Sequence, residues 1–147
     1  MSLTTSARKL DVLVADDESV ACQVMSAYLE ISGCDVEVVS DGHEVIRLLR
    51  ERGEPFDVLV LDVWMPGPPP RELLSNVCRM SPRSAILFVS ARNPGDLGSK
   101  PGDEPFHFLP KPFNRSDLQQ AVYSAHREWR LRGTEGRPGG MVHRPSR

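Results

Sequence analysis

The chain has 147 residues, of which 39% are apolar and 26% charged, and its formal net charge is −2. This length suffices for one domain with a buried core and is too short for two. Its apolar runs fall well short of the ~20 residues of a membrane span, and the N-terminus has no apolar segment typical of a signal peptide. We therefore expect a cytoplasmic protein that does not enter a membrane.

The first predicted element is a buried parallel strand over the apolar residues 10–15. Asp16 and Asp17 follow it directly. Apolar residues then recur at helical spacing, which predicts a helix over about residues 19–32, and Gly33 supplies a stop signal. Two carboxylates therefore lie between the first strand and the first helix.

A second strand and a second helix follow. Residues 35–39 predict the strand, and Asp41 with Glu44 three residues later resembles a capping pair that opens the helix. Gly53 and Pro55 then end this helix. The order so far is strand, helix, strand, helix, which is typical of a parallel α/β sheet.

The third strand is predicted over residues 58–61 and is followed by Asp62. Residues 68–70 are three prolines, which should stiffen the entrance to the next helix. That helix is indicated by apolar residues at helical spacing: Leu73, Leu74, Val77 and Met80.

The last two predicted strands also end in polar side chains. Residues 85–89 predict a strand that Ser90 follows, and Lys111 follows the next apolar run. A final helix opens at Asn114, with Asp117 three residues later. Its apolar stripe consists of Leu118, Ala121, Val122, Ala125 and Trp129.

Asp16, Asp17 and Asp62 are expected to converge, because the carboxyl ends of parallel strands line the usual ligand crevice of an open α/β sheet. Packed carboxylates repel one another and take up protons unless a divalent cation neutralises them. The pattern therefore predicts a Mg²⁺ site. Any one of these aspartates could instead start a loop or cap a helix, but three acids at matching strand ends disfavour that alternative.

Ser90 and Lys111 bring a hydroxyl and an ammonium group to the same edge of the sheet. A carboxylate can act as the nucleophile in phosphoryl transfer. Mg²⁺, a hydroxyl group and a cationic amine can then stabilise the charge on the transferred oxygens. This set of residues favours phosphoryl chemistry.

Four motifs resemble those of response-regulator receiver domains of two-component signalling. They are Asp16-Asp17, Asp62-Val63-Trp64-Met65-Pro66-Gly67, Ser90-Ala91 and Lys111-Pro112-Phe113. The intervals of 45 residues from Asp17 to Asp62, 28 to Ser90 and 21 to Lys111 also match that family. The resemblance spans about residues 10–131, and the combination is specific although each motif alone is weak.

The resemblance implies that Asp62 is the phosphoacceptor. It also implies that Mg²⁺ binds Asp16, Asp17, Asp62 and the backbone carbonyl of Trp64. Lys111 would pair with the carboxylate or the phosphoryl group, and the Lys111-Pro112 peptide bond would be cis.

The resemblance further implies residues that switch and tune the domain. Ser90 would contact a phosphoryl oxygen and, with Phe108, change conformation on phosphorylation. Phe108 stands where the family often has tyrosine. Trp64 and Arg92, two residues beyond Asp62 and Ser90, would control the access of hydrolytic water and slow dephosphorylation.

The expected fold is a flavodoxin-like, doubly wound α/β sheet of five parallel strands in the order 2-1-3-4-5. One segment departs from the family pattern. Residues 94–105 contain three prolines and three glycines, and each interior proline costs about 3 kcal/mol in a helix. We therefore expect the fourth helix to be short or absent, and the usual output face to be altered.

The predicted boundaries are a disordered N-terminus over residues 1–9, a receiver domain over residues 10–132 and a disordered basic tail or linker over residues 133–147. The tail is rich in arginine, glycine and proline. It lacks interleaved aromatic residues and a recognisable DNA-binding module, so nucleic-acid binding is not expected.

The predicted function is to accept a phosphoryl group on Asp62, with Mg²⁺, from a histidine kinase, a histidine phosphotransfer protein or a small phosphodonor. The resulting conformational change would signal to an unidentified output partner or domain. The chain would catalyse only its own phosphorylation and dephosphorylation, and would not be an enzyme in the wider sense.

Three alternatives differ in class. A phosphohydrolase with an aspartyl nucleophile would show D-x-D-x-[TV], whereas Asp62-Val63-Trp64 lacks the second acid. A nucleotide-binding protein would show a glycine-rich phosphate motif after a strand, and the sequence has none. An interaction module that works without phosphorylation is favoured by the unusual segment 94–105 and disfavoured by the intact acidic residues, Ser90 and Lys111.

Overall fold

The structure, a computed structural model, describes residues 8–91 and 106–132. Within these residues five parallel strands form one sheet in the order β2-β1-β3-β4-β5. The strands are β1 (Asp11–Ala15), β2 (Asp35–Val39), β3 (Val58–Asp62), β4 (Ala85–Ser90) and β5 (His107–Pro110). The helices are α1 (Ser19–Ile31), α2 (Gly42–Glu51), α3 (Pro70–Met80) and α4 (Arg115–Leu131). The predicted α/β class and strand order are confirmed.

The central strands are apolar because helices cover the sheet on both faces. Every residue of β3 and β4 is buried, and these strands read as almost continuous apolar runs. Alternate residues supply two separate cores. One core lies between the sheet and the pair α1 and α4, and the other between the sheet and the pair α2 and α3.

Local signals explain where the helices begin. The Asn114 side chain accepts from the backbone N–H of Asp117, and the Asp117 side chain accepts from the N–H of Asn114, so the predicted capping box opens α4. Asp41 caps α2 by accepting from the N–H of Glu44 at 2.9 Å. The three prolines end where α3 begins, because proline fits the first position of a helix.

Asp57 joins two segments at the amino ends of the central strands. Its carboxylate accepts from the backbone N–H of Asp11 at 2.8 Å and from the guanidinium of Arg8 at 2.9 and 3.0 Å. Burial by itself raises the pKa of Asp57, but these hydrogen bonds outweigh it and lower the pKa. This contact includes Arg8, a residue of the N-terminal segment that the sequence assigned to residues 1–9.

Three predictions concern residues outside the described ranges. They are the disorder of residues 1–7 of the N-terminal segment, the short or absent fourth helix over residues 94–105, and the disordered basic tail. They remain predictions. In the part of the chain that is described, no helix combines the length and the apolar character that a transmembrane span requires.

Candidate functional site

The strand order brings the predicted site residues to one edge of the sheet. β3 lies between β1 and β4, and β5 pairs with β4. Asp62 is the last residue of β3 and Ser90 the last of β4, while Asp16 and Lys111 directly follow β1 and β5. Parallel strands with this register end at the same edge, so residues up to 95 positions apart meet there.

The three carboxylates form one cluster. Oxygen atoms of Asp16, Asp17 and Asp62 lie within 4.8 Å of one another. Asp16 is 1% exposed and Asp62 is 7% exposed, whereas Asp17 faces solvent. The predicted convergence of these three side chains is therefore present.

Lys111 supplies the positive charge of the cluster. Its Nζ donates a hydrogen bond to Oδ2 of Asp16 at 3.0 Å and lies 3.7 Å from Oδ1 of Asp62. Burial by itself lowers the pKa of Lys111, but the hydrogen bond to Asp16 and the charge of Asp62 outweigh burial and raise the pKa. The Lys111 N–H donates to the carbonyl of Ser90 at 2.9 Å, and the Lys111-Pro112 bond is cis, as the sequence resemblance implied.

The carboxyl group of Asp62 has a strongly perturbed pKa. Burial and the nearby charge of Asp16 raise its pKa to about 6, and Lys111 opposes part of this rise. The backbone N–H of Trp64 also hydrogen-bonds the carboxylate and opposes the rise. Asp62 is therefore mostly ionised at pH 7, although its ionised form is destabilised relative to an exposed aspartate.

The backbone around Asp16 is held by three contacts. Its N–H donates to the carbonyl of Val39 at 3.3 Å, and its Oδ1 accepts from the N–H of Glu18 at 3.0 Å. The thiol of Cys22 in α1 donates to the carbonyl of Asp16 at 3.1 Å. Burial and the charge of Asp16 raise the pKa of this thiol, so Cys22 is a neutral donor at pH 7.

The cluster has the chemistry that a divalent cation requires. Mg²⁺ and Ca²⁺ bind carboxylate and carbonyl oxygens, and the cluster presents three carboxylates on two neighbouring strands. Burial and the charges of Asp16 and Asp17 raise the pKa of Asp62 by more than Lys111 lowers it. A cation between the carboxylates would remove the remaining repulsion, so these residues fit a metal site.

The other predicted residues lie around this edge. Trp64 is 42% exposed in the loop after β3, and Ser90 is 1% exposed. Phe108 is a half-buried residue of β5 that pairs in register with Phe88. Arg92 lies outside the described residues.

Gly42 was not among the predicted site residues, although it contacts the loop that carries Trp64. Its N–H donates to the carbonyl of Pro66 at 2.8 Å. The only signal in the sequence was a glycine directly after the helix cap Asp41. Sequence spacing does not reveal which loop such a glycine meets.

An apolar groove adjoins the site. It lies between α1 and the loop after β5, and its volume is about 560 Å³. Val20, Val24, Pro112 and Phe113 line it together with Lys111, whose ammonium contacts Asp16. Val20 is 68% exposed and Val24 is 39% exposed, so this face of α1 presents apolar side chains to solvent.

The chain is similar to parts of a sensor kinase and of transcriptional regulators. The chain is 31% identical over 112 residues to the sensor kinase CckA of Brucella abortus, covering 76% of this chain and 12% of that protein. It is 31% identical to the DNA-binding transcriptional regulator NtrC of Rhizobium meliloti, covering 73% of this chain and 22% of that protein. It is 30% identical to a CpxR homolog of Haemophilus influenzae, covering 73% of this chain and 46% of that protein. The chain therefore spans less than half the length of these relatives.

Solved structures of separate domains match over almost their whole length. A response regulator receiver domain protein from Clostridium thermocellum matches with a TM-score of 0.71 and 30% identity, covering 83% of this chain and 98% of that chain. The chemotaxis response regulator CheY4 of Vibrio cholerae matches with a TM-score of 0.68 and 25% identity, covering 80% of this chain and 99% of that chain. The family described as the response regulator receiver domain matches residues 12–123, most of this chain. The chain therefore belongs to the response regulator receiver domain family.

Proposed function

We propose that this receiver domain accepts a phosphoryl group on Asp62 and signals through the conformational change that follows. The observation that carries the proposal is the cluster around Asp62. A buried carboxylate at a strand end lies 3.7 Å from the Lys111 ammonium and beside the carboxylates of Asp16 and Asp17. Membership of the receiver family supports a signalling role by phosphoacceptance.

In the proposed reaction an oxygen of Asp62 forms a bond to phosphorus. The bond from phosphorus to the imidazole nitrogen of a phosphohistidine donor breaks, and that nitrogen retains the electron pair. Bound Mg²⁺, held by Asp16, Asp17, Asp62 and the carbonyl of Trp64, would supply positive charge for the phosphoryl oxygens. Lys111 supplies a further positive charge.

The proposed donors are a histidine kinase or a histidine phosphotransfer protein. Such a donor must bring its phosphorylated imidazole to the carboxylate cluster. Lys111, whose ammonium contacts that cluster, also lines the apolar groove formed with Val20 and Val24. We therefore place the donor contact on this face of α1, and we propose that an output partner or domain reads the modified protein elsewhere.

Ser90 and Phe108 are the proposed switch residues. Ser90 ends the strand next to β3 and precedes the segment after β4, and Phe108 lies in the neighbouring strand β5. A phosphoryl group on Asp62 would offer the Ser90 hydroxyl an acceptor and so favour one conformation of the domain over another. The reaction would remain confined to Asp62, since receiver domains typically act as signalling modules without other enzymatic activity.

Phosphorylation of the purified chain tests the proposal directly. Acetyl phosphate with Mg²⁺ is expected to add a single phosphoryl mass, measured by intact-mass spectrometry. The added mass should disappear in Asp62→Asn and with a chelator, because the nucleophile or the charge neutralisation is then missing.

Asp57→Asn is the matched control for this experiment. Asp57 directly precedes the amino end of the same strand, and its substitution should leave phosphorylation intact. A phosphoryl mass on Asp62→Asn would rule out Asp62 as the acceptor. No added mass on the wild type with either acetyl phosphate or phosphoramidate would favour an interaction module that works without phosphorylation.

Trp64 is proposed to prolong the phosphorylated state. Its backbone N–H hydrogen-bonds the Asp62 carboxylate, and we expect the bulky indole of this neighbouring residue to hinder the approach of water to the phosphoryl group. Trp64→Asn is therefore expected to speed the loss of the phosphoryl group several-fold, measured as decay of the phosphorylated mass after the donor is removed. Trp129→Phe, near the C-terminal end of α4, should decay like wild type. Equal or slower decay of Trp64→Asn would contradict this role.

A further inference from the structure

The loop after β3 rests on the first turn of α2 through backbone contacts. The N–H of Gly42 donates to the carbonyl of Pro66 at 2.8 Å. Gly67 has a φ of +120°, which side chains rarely tolerate. A Cβ atom on Gly67 would lie 3.0 Å from three backbone atoms, N and Cα of Gly42 and N of His43. The two backbones therefore approach as closely as two glycines permit.

The same approach leaves little space at Gly42. A Cβ atom there would lie 3.0 Å from Cδ of Pro68 and in ordinary contact, 3.5 and 3.6 Å, with the carbonyl of Pro66 and the side chain of Leu73. The Pro68 ring closes on its own backbone and cannot rotate away. A methyl group at Gly42 would therefore displace the loop backbone itself.

The first turn of α2 is a firm support for this loop. Asp41 caps the helix at the N–H of Glu44, and the Glu44 carboxylate accepts from the N–H of Ser40 at 2.8 Å. The two bonds tie Asp41 and the preceding residue Ser40 to the first turn and so fix the start of the helix. Displacement is consequently easier in the loop than in the helix.

Two backbone hydrogen bonds bracket Trp64 and Met65. On one side the N–H of Val63 donates to the carbonyl of Val89 at 3.2 Å, which continues the pairing of β3 with β4. On the other side the carbonyl of Pro66 accepts from Gly42. A span of two residues between fixed ends has little conformational freedom, so its carbonyl groups are held in place.

We propose that Gly42 is a positioning residue for the metal site. By letting the loop of Pro66 to Pro68 rest on α2, it sets the position of the Trp64 carbonyl. This inference rests on the proposed function, in which that carbonyl is a ligand of Mg²⁺. Mg²⁺ requires nearly octahedral geometry with short bonds, whereas Ca²⁺ accepts longer bonds and irregular geometry. Displacement of the carbonyl should therefore weaken Mg²⁺ binding more than Ca²⁺ binding.

Gly42→Ala tests the inference. Its Mg²⁺ dissociation constant is expected to rise about tenfold, a typical result of disturbing the groups that orient metal ligands, and its Ca²⁺ constant by no more than about threefold. Both constants are measured by NMR titration of the unphosphorylated protein with each metal alone. Gly53→Ala is the matched control, because no atom lies within 4 Å of the position of its added methyl group.

A double variant separates positioning from general damage. Pro68→Ala removes the ring atom that the new methyl group would meet, so the effect of Gly42→Ala should be several-fold smaller in the Pro68→Ala background. If urea titrations show that Gly42→Ala is not folded, the Mg²⁺ affinity of the double variant is compared with that of Pro68→Ala alone. Equal Mg²⁺ affinity would then support the inference, and a tenfold loss would overturn it.

The outcomes also separate this inference from the proposed function. Wild type that binds Mg²⁺, with Gly42→Ala binding it equally well, overturns the role of Gly42 and leaves the proposed function standing. Equal losses of Mg²⁺ and Ca²⁺ affinity without rescue by Pro68→Ala also overturn that role. Wild type that binds neither metal overturns the proposed metal site, and the role of Gly42 with it.

Discussion

Asp62→Asn is expected to make the metal-free protein more stable at pH 7.5, by up to about 3 kcal/mol. The pKa of Asp62 is raised from 3.8 to about 6, and each pKa unit corresponds to about 1.4 kcal/mol. The amide has nearly the shape of the carboxylate and no charge, so it removes both the cost of burying a charge and the repulsion with Asp16 and Asp17. Urea unfolding in the presence of a chelator measures the difference.

The difference in stability between Asp62→Asn and wild type should depend on pH. A raised pKa means that folded protein binds the Asp62 proton more tightly than unfolded protein does. Wild type therefore loses stability relative to Asp62→Asn as the pH rises from about 4 through about 6. The advantage of Asp62→Asn should be largest above pH 6 and small near pH 4.

Asp57→Asn is the control, and the opposite change in stability is expected for it. The pKa of Asp57 is lowered, so its carboxylate stabilises the fold above its unfolded pKa, and this contribution is lost as the pH falls. Asp57→Asn should therefore be less stable than wild type at pH 7.5. If Asp62→Asn is also no more stable than wild type there, burial and repulsion do not outweigh the favourable interactions of the Asp62 carboxylate.

Lys111→Met is expected to destabilise the metal-free protein by about 3 kcal/mol, the scale on which a buried charge loses its partner. Lys111 donates at 3.0 Å to Asp16, whose side chain is 1% exposed. Methionine keeps the apolar stem and removes the ammonium, so the loss reports charge and not packing. Mg²⁺ should restore part of the stability, because it supplies positive charge to the same carboxylates.

Lys9→Met is the matched control for Lys111→Met. Lys9 lies 3.8 Å from Asp35, but both side chains are more than 60% exposed, and such pairs contribute little. Equal stability of Lys111→Met and wild type at pH 7.5 in a chelator would contradict the proposed electrostatic balance of the cluster.

Local patterns were enough to predict most of the fold. The apolar runs marked the strands because central parallel strands are buried on both faces, and capping residues such as Asp41 and Asn114 marked where helices begin. Parallel strands end at a common edge, so the placement of Asp16, Asp17 and Asp62 followed from sequence position alone. All of these features depend on residues that are close along the chain or on a general rule of the fold.

The strength and partners of the charges could not be predicted in the same way. The sequence indicated that Lys111 would lie near the carboxylates, but its shortest contact is to Asp16 and the longer one is to Asp62. The pKa of Asp62 likewise depends on how far burial outweighs Lys111. Such quantities depend on distances of a few ångströms between strands, which no spacing along the chain specifies.

By itself, the sequence determined the α/β class, the strand order through its family motifs, and the identity of the residues at the site edge. Only the tertiary structure decided that the loop after Asp62 rests on Gly42, that Arg8 joins Asp57, and that Lys111 bonds Asp16 most closely. The physical reason is the distance along the chain over which each interaction acts. Burial patterns and caps act over a few neighbouring residues, whereas these contacts join segments that only packing of the complete sheet and its helices brings together.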